Sequence, residues 1–250
     1  MNLREYVGLP IVSDDEAIQY NSNEIDVKSI IISEARDIKF FVKEKDNLKS
    51  EEEVFRVYQT IRSVEDKEIW DDISFDVIVI QPGRLGKEYM KTIGYYRSLA
   101  ENGYRYPEVY QIAEGYVEFF LQQPSQSHDK IKDAVMIRAQ RFDVVVVPPA
   151  YGLTLINPSE KKAIVTRIRA METEEITQQY KQTHGECYYR MEEDKWDFNE
   201  NYEEIPMLRL EEPQNKWKSL KRGIPIYASY TYNPKRFNGL VEPDPVEFVL

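Results

Sequence analysis

The segment from Pro82 to Arg97, "PGRLGKEYMKTIGYYR", combines glycine and positive charge in a way that could bind an anion. Gly83 and Gly86 are typical of a turn with positive φ, and Lys87 would place a cation beside that turn. Backbone N–H groups exposed by such turns can hold phosphate oxygens. Together with Arg105, the cations of this segment, Arg84, Lys87, Lys91 and Arg97, predict either a positive pocket or a set of scattered, solvated charges.

Histidine and cysteine, the usual ligands of transition metals, are scarce in this chain. Two histidines and one cysteine exclude a zinc site built only from these residues, and a single cysteine cannot form an internal disulfide. His128 lies in a polar loop and His184 follows a candidate helix, so we expect both on the surface. Cys187, between charged and aromatic neighbours, is expected to be a small apolar filler.

Composition limits the classes of protein that this chain can belong to. With 250 residues and 42% hydrophobic residues, the chain can form one sizeable core with extensions. The formal charge of −11 argues against general binding of nucleic acid, which needs basic surface. No apolar stretch approaches the ~20 residues of a membrane span. The first residues also lack the pattern of a secretory signal, so the sequence predicts a cytoplasmic protein.

The elements that must position any site are mostly strands. Short segments rich in β-branched and aromatic residues recur at intervals typical of a sandwich or barrel, so we predict an all-β fold. Helical patterns are few and occur at 13–20, where Ser13 precedes Glu16 in capping-box spacing, and at 171–182. The predicted strands are 27–33, 38–43, 54–62, 75–82, 108–115, 116–123, 134–139, 142–149, 153–157 and 163–169.

The barrel pattern does not cover the whole chain. We predict an N-terminal extension at 1–50 that packs on the barrel or on a partner subunit, a barrel domain at 51–191 and a C-terminal extension at 192–250. The alternating segment "IPIYASYTY" at 224–232 favours a strand. Because the C-terminal extension keeps large aromatic residues, we expect it to wrap the barrel.

Residues 75–169 resemble the cupin superfamily, and within it the archaeal-type, metal-dependent glucose-6-phosphate isomerases. The signals are the "PGxxGKE" turn at 82–88, Thr92-x-Gly94, Glu-Val-Tyr at 108–110 followed by Gly115, and Pro148-Pro149 before a turn that ends at Asn157. The resemblance implies a cupin jelly-roll β-barrel with an N-terminal β extension, a wrapping C-terminal segment and few helices. It also implies a small phosphorylated sugar as ligand and a place in glycolysis and gluconeogenesis.

The same resemblance assigns roles to individual residues. It implies that Thr92, Gly94 and Tyr110 bind the sugar phosphate; we add Lys87 and Arg169 as cations that could contact it. If these positions are structural instead, Thr92 and Tyr110 are ordinary strand residues.

The metal positions are where the chain departs from the family. The family's His-x-His, Glu and His ligands correspond here to Tyr95 and Arg97, Glu108 and Leu153. Because arginine is not a practical ligand and leucine has no donor atom, we predict no metal bound in the family's manner and no other cofactor. A divalent metal held by altered ligands, among them Glu108, Glu114 or Asp143, stays open as an alternative.

Without a metal, Glu108, Arg97 and Tyr95 are the candidate catalytic residues. Aldose–ketose isomerisation needs a base near the substrate, for which Glu108 is the candidate, and a positive or hydrogen-bonding partner for the enediolate, for which Arg97 and Tyr95 are. The alternative is an Arg97–Glu108 ion pair that fills the former metal cavity of a non-catalytic ligand sensor or structural module. Edge strands of the N-terminal region favour a homodimer in either case.

Overall fold

The computed structural model describes residues 1–15, 17–45, 48–214, 217–248 and 250, and strands dominate it. The strands are β1 (Ile11–Ser13), β2 (Ile18–Tyr20), β3 (Ile25–Glu34), β4 (Glu53–Ser63), β5 (Ile73–Ile80), β6 (Arg84–Leu85), β7 (Glu88–Lys91), β8 (Tyr96–Arg97), β9 (Glu108–Glu114), β10 (Tyr116–Pro124), β11 (Ile131–Gln140), β12 (Val144–Val147), β13 (Gly152–Asn157), β14 (Ala163–Ala170), β15 (Glu175–Ile176), β16 (Tyr188–Met191), β17 (Lys195–Phe198) and β18 (Leu208–Glu211). The helices are α1 (Arg4–Val7), α2 (Ala35–Ile38), α3 (Gln178–Gln182) and α4 (Ile226–Tyr232), with 3₁₀ turns at Lys39–Phe41, Lys67–Ile69, Trp217–Ser219, Pro234–Leu240 and Pro245–Glu247.

One sheet runs in the order β12-β9-β14-β5-β4-β3 with antiparallel neighbours. Every residue of β5 and of β14 is buried, because both faces of this sheet are covered. Its register places Arg167 on β14 opposite Asp76 on β5 and Tyr110 on β9. Since residues directly opposite each other share a face, these three side chains point the same way.

The second sheet runs in the order β17-β16-β7-β13-β10-β11-β18, with β6 paired to β7. Apolar side chains of the two sheets pack together between them, for example Ile78 and Val165 from the first sheet with Phe119 and Leu155 from the second. This two-sheet barrel confirms the predicted all-β, jelly-roll fold class.

Both chain ends cover the outer face of the first sheet. Apolar residues of α1 and β1 share a core with α4 and the segment after it. Trp70 packs against Tyr227 and Tyr230 of α4, with ring centroids 4.9 and 4.1 Å apart. The C-terminal extension therefore wraps the barrel as predicted.

The strand predicted at 224–232 is wrong, because this segment forms α4. Its buried residues, Ile226, Tyr227, Ser229 and Tyr230, have helical as well as alternating spacing. Burial against Trp70 selects the helix.

The two predicted helices are also largely wrong. At 13–20 the chain forms the β1–β2 hairpin instead, and Glu16 lies outside the described residues. At 171–182 only α3 is helical, and β15 pairs with β8. In the N-terminal region, β3 pairs along β4 and so extends the barrel sheet. Across the described residues, no helix has the length and apolar character needed to cross a bilayer.

Candidate functional site

A pocket of about 210 Å³ opens at one end of the barrel. Apolar residues of β3, β4 and β5 form one wall, and Thr92, Tyr95, Arg167 and Glu175 form the polar wall. The volume is below the ~300–1,000 Å³ that is typical of ligand pockets, so the pocket suits a small ligand.

Behind the pocket, Tyr95 joins Glu108, Arg97 and Tyr110 in a buried network. The Tyr95 hydroxyl donates to Glu108 Oε2 at 2.9 Å and lies 2.6 Å from the hydroxyl of Tyr110. Arg97 Nη2 donates to Glu108 Oε1. The side chains predicted as catalytic therefore meet, but both oxygens of Glu108 already accept bonds inside the core.

Arg167 and Asp76 are central to the site and were not predicted from the sequence. Arg167 donates from Nε and Nη2 to Asp76 Oδ2 at 2.9 and 2.7 Å, and from Nη1 to the Tyr95 hydroxyl at 3.2 Å. Arg169 donates from Nε to the same Asp76 oxygen at 2.8 Å. The signal was present: charged residues inside apolar strands are costly to bury unless they are paired, and here they lie opposite each other.

Glu175, which was not singled out either, closes the ring of charges at the pocket. Its Oε1 accepts from Arg167 Nη1 at 3.0 Å and from Arg97 Nη2 at 3.3 Å. Its side chain is 41% exposed, whereas Arg167 and Glu108 are 2% and 1% exposed. Glu175 is thus the one of these three groups that has room to move outwards.

The remaining predicted binding residues are dispersed. Thr92 lines the pocket and accepts the N–H of Leu155. Gly94 packs against Tyr180, where an added Cβ would come within 2.3 Å of the ring. Arg169 faces Asp76 and the backbone carbonyls that follow it.

The glycine turn adopts the expected positive φ, 117° at Gly83 and 67° at Gly86. Lys87, however, is exposed and pairs with Glu44 at 3.2 Å, and it is not among the residues that line the pocket. In the structure, this turn is a hairpin between β6 and β7 rather than a wall of the pocket.

The side chains at the family's metal positions do not fit a metal. Tyr95 and Arg97 are hydrogen bonded to Glu108, and Leu153 offers no donor atom. Glu114 lies at the other end of β9, about 20 Å from Glu108 at the rise of an extended strand. Among the described residues, no group of three or more His, Cys, Asp or Glu side chains could hold a metal ion.

Burial and the arginines set the charge states of the site. Burial would raise the pKa of Asp76, but the guanidinium groups of Arg167 and Arg169 hold that pKa well below its usual range. Burial, with the nearby Glu108 carboxylate, raises the pKa of Tyr95. At neutral pH, Asp76 is therefore ionised and Tyr95 keeps its proton to donate.

The two-sheet barrel, with a pocket that has one apolar and one polar wall, defines the class of this protein as a cupin. A family model described as glucose-6-phosphate isomerase (GPI) matches residues 32–207, and the chain belongs to that family, in its cupin type.

Two relatives in the family match this chain over half of its length or more. The glucose-6-phosphate isomerase of Pyrococcus abyssi is 28% identical over 156 residues, which cover 60% of this chain and 75% of the relative. That of Thermococcus litoralis is 29% identical over 125 residues, which cover 50% of this chain and 60% of the relative.

Solved structures also show similarity over about half of the chain. A vicilin from Solanum melongena aligns with a TM-score of 0.37 at 19% identity and covers 52% of this chain and 33% of its own. An oxalate decarboxylase from Lactobacillus farciminis aligns with a TM-score of 0.34 at 16% identity and covers 46% and 28%.

Proposed function

We propose that this GPI-family cupin binds a small phosphorylated sugar in the pocket at the barrel mouth, without a bound metal ion and without turnover. The observation that carries the proposal is the position of Arg167. Its guanidinium lines the pocket and is fixed on its inner side by Asp76. Its Nη1 points to the pocket residues Tyr95 and Glu175, so this pre-oriented group could donate a charge-assisted hydrogen bond to a phosphate oxygen that replaces Glu175.

The balance of charge shows how an anion could enter. Three guanidinium groups, of Arg97, Arg167 and Arg169, face the carboxylates of Asp76, Glu108 and Glu175. The site is therefore neutral as long as Glu175 stays in place. An incoming phosphate would take over the contacts of the part-exposed Glu175, and the outward movement of Glu175 would leave a net positive pocket.

The same geometry supports binding over catalysis. A base must touch the proton that it removes, but Glu108 is not among the residues that line the pocket. Arg97 and Tyr95 each donate a hydrogen bond to one carboxylate oxygen of Glu108. Glu108 thus serves as the counter-ion that holds Arg97, which is the ion-pair alternative considered above.

One observation favours a second candidate, a metal-free isomerase. Glu175 lines the pocket and could act as the base in place of Glu108. Burial raises its pKa, but Arg97 and Arg167 outweigh that effect and lower it, which makes Glu175 a weak base. The family's reaction, glucose 6-phosphate to fructose 6-phosphate, is the one to assay.

The test is titration calorimetry with fructose 6-phosphate, with and without EDTA. We expect binding that EDTA leaves unchanged. For Arg167→Lys, which keeps the charge but loses the paired bonds to Asp76 that orient the cation, we expect a loss of at least about tenfold in affinity, ~1.4 kcal/mol. Arg84→Lys is the matched control, since Arg84 pairs with Glu192 at the surface.

Three outcomes would contradict the proposal. If fructose 6-phosphate, glucose 6-phosphate and inorganic phosphate all give no heat of binding, the proposed phosphate site does not exist. Binding that EDTA abolishes and Mn²⁺ restores shows a metal centre. Turnover by the purified chain that Glu175→Gln abolishes supports the second candidate.

Location in the cytoplasm stays a prediction.

A further inference from the structure

A second pocket lies where the end of β9 meets the beginning of β14, away from the mouth of the barrel. Its volume is about 390 Å³, within the ~300–1,000 Å³ that is typical of ligand pockets. Glu114, the last residue of β9, lines it and lies about 20 Å from Glu108 at the rise of an extended strand. This pocket is therefore separate from the one that contains Arg167.

Two charged side chains that line this pocket have buried atoms without partners. Lys162 is only 8% exposed, and its Nζ has no hydrogen-bond partner among the described residues. Within the same part of the chain, Glu114 Oε2 has none either. Burial of a charged group is costly unless the group is paired, so a molecule that bonded to both atoms would remove this cost.

The backbone holds these two side chains next to each other. Glu114 pairs with Ile164 in the antiparallel ladder, and Lys162 is two residues before Ile164. Such diagonal neighbours are about 7–8 Å apart. The turn after β9 also lies against Lys162, since a Cβ added at Gly115 would come within 2.9 Å of the Lys162 carbonyl oxygen. An amine and a carboxylate thus border one space without bonding to each other.

We propose that this pocket binds the zwitterionic end of a free α-amino acid. The carboxylate of the amino acid would accept a hydrogen bond from Lys162 Nζ, which is at the end of a flexible stem and can turn toward the ligand. Its ammonium group would donate to Glu114 Oε2. A water molecule or a neutral polyol would leave both buried charges unpaired, whereas a zwitterion pairs each of them through a charge-assisted hydrogen bond.

The other charges of the pocket restrict the side chain of the amino acid. Asp14, Asp15 and Glu160 line the pocket, against one further lysine, Lys161. This excess of carboxylates disfavours a ligand with net negative charge, such as phosphate, aspartate or glutamate. The expected ligand class is therefore a neutral or basic amino acid, whereas the pocket at the barrel mouth is proposed to take an anion.

The first test is a thermal-shift screen of the purified chain with each standard L-amino acid at millimolar concentration. A ligand that binds only the folded state raises the melting temperature. We expect at least one neutral or basic amino acid to do so, and aspartate and glutamate not to. Titration calorimetry then compares that amino acid with its N-acetyl derivative, which lacks the ammonium, and with its amide, which lacks the carboxylate. Each derivative should bind at least about tenfold more weakly.

The second test assigns the binding to the two side chains. Lys162→Met and Glu114→Gln should each lower the affinity for the amino acid by at least about tenfold. Lys132→Met and Glu101→Gln, at exposed positions, are the matched controls and should bind as wild type does. Lys162→Met should also raise the melting temperature of the ligand-free chain, because it removes a buried charge that has no partner.

If no amino acid raises the melting temperature, the proposal is overturned. Full binding by the N-acetyl derivative, by the amide or by Lys162→Met overturns it as well. A ligand-free Lys162→Met chain that melts at a lower temperature than wild type would show that the free chain already stabilises this amine, which contradicts the proposal. Arg167→Lys should bind the amino acid as wild type does, so a failure of the phosphate site would leave this site in place.

Discussion

Two of the buried groups of ion pairs in this barrel differ in how many cations contact each carboxylate. At the pocket, Asp76 lies between two guanidinium groups, 2.7 Å from Arg167 and 2.8 Å from Arg169. In the second cluster, Lys91 lies between two carboxylates, 2.6 Å from Glu88 and 2.6 Å from Glu186. The side chains of the second cluster are each 1% exposed.

The charges in contact with each carboxylate decide the direction of its pKa shift. Asp76, surrounded by cations, has a pKa below its usual range. Burial and the neighbouring Glu186 raise the pKa of Glu88 to about 7, although Lys91 opposes this effect. The comparison teaches that equally deep burial gives opposite pKa shifts, because the ratio of cations to carboxylates differs.

The largest expected effect comes from removing Lys91, the cation that contacts both carboxylates of the second cluster. Lys91→Met leaves Glu88 and Glu186 buried without a positive partner. We expect the free energy of unfolding to fall by about 3–5 kcal/mol, measured by urea denaturation at pH 7.

The control for this variant is Lys87→Met. Lys87 is four residues earlier and its side chain is 62% exposed, so this change should cost less than about 1 kcal/mol. Equal losses for the two variants would show that burial does not distinguish these ion pairs.

The second prediction concerns pH. Glu88 binds its proton more tightly in the folded state, so the folded chain holds more protons than the unfolded chain between about pH 4.5 and 7. The contribution of Glu88 to stability therefore falls as pH rises through this window, by up to ~3 kcal/mol. Glu88→Gln should remove this slope, measured as the difference from wild type in urea denaturation across pH.

The pKa shift of Asp76 has the opposite sign, so Asp76 serves as the control. Its pKa is lowered on folding, so its contribution is complete above about pH 4 and is lost below. Asp76→Asn should lower stability but leave the slope between pH 4.5 and 7 unchanged. If Asp76→Asn flattened the slope between pH 4.5 and 7, the slope would not come from the titration of Glu88.

The third prediction tests the hydrogen bonds of the pocket cluster. Tyr95→Phe removes the hydroxyl that contacts Glu108, Tyr110 and Arg167. We expect a loss of about 1–3 kcal/mol in the free energy of unfolding. Tyr104→Phe, at a tyrosine that is 49% exposed, should change it by less than about 0.5 kcal/mol.

The smallest effect on stability is expected for Glu175→Gln, since Glu175 is part-exposed. This variant should change the free energy of unfolding by less than about 1 kcal/mol. It should increase the affinity for fructose 6-phosphate several-fold, because it removes the carboxylate that competes with the phosphate. Glu174→Gln, at the exposed neighbour, should leave the affinity unchanged. Weaker binding by Glu175→Gln alone would instead make Glu175 a ligand contact.

The sequence predicted the part of the site that depends on local spacing. Tyr95 and Arg97 are two residues apart in one extended segment, so they share a face, and the motif that includes Glu108 and Tyr110 placed the second strand. The all-β class followed from short strands at regular spacing. These features depend on residues that are close along the chain.

The rest of the site depends on long-range register. Arg167 lies opposite Asp76 although 91 residues separate them, and no local pattern fixes that pairing. The glycine turn favoured Lys87 as a ligand contact, but Lys87 pairs with Glu44 of a neighbouring loop. At 224–232 the spacing suited both helix and strand, and the contact with Trp70 across the fold decided between them.

Because α4 lies late in the sequence, it can dock only after the sheet that it covers has been synthesised. It covers the outer face of the first sheet, yet it begins 56 residues after β14 ends, since 226 − 170 = 56. At a synthesis rate of ~5–20 residues per second, roughly 3–11 seconds separate the two elements. During that time α4 is not yet available to cover the indole of Trp70, and its docking completes the burial of this side chain.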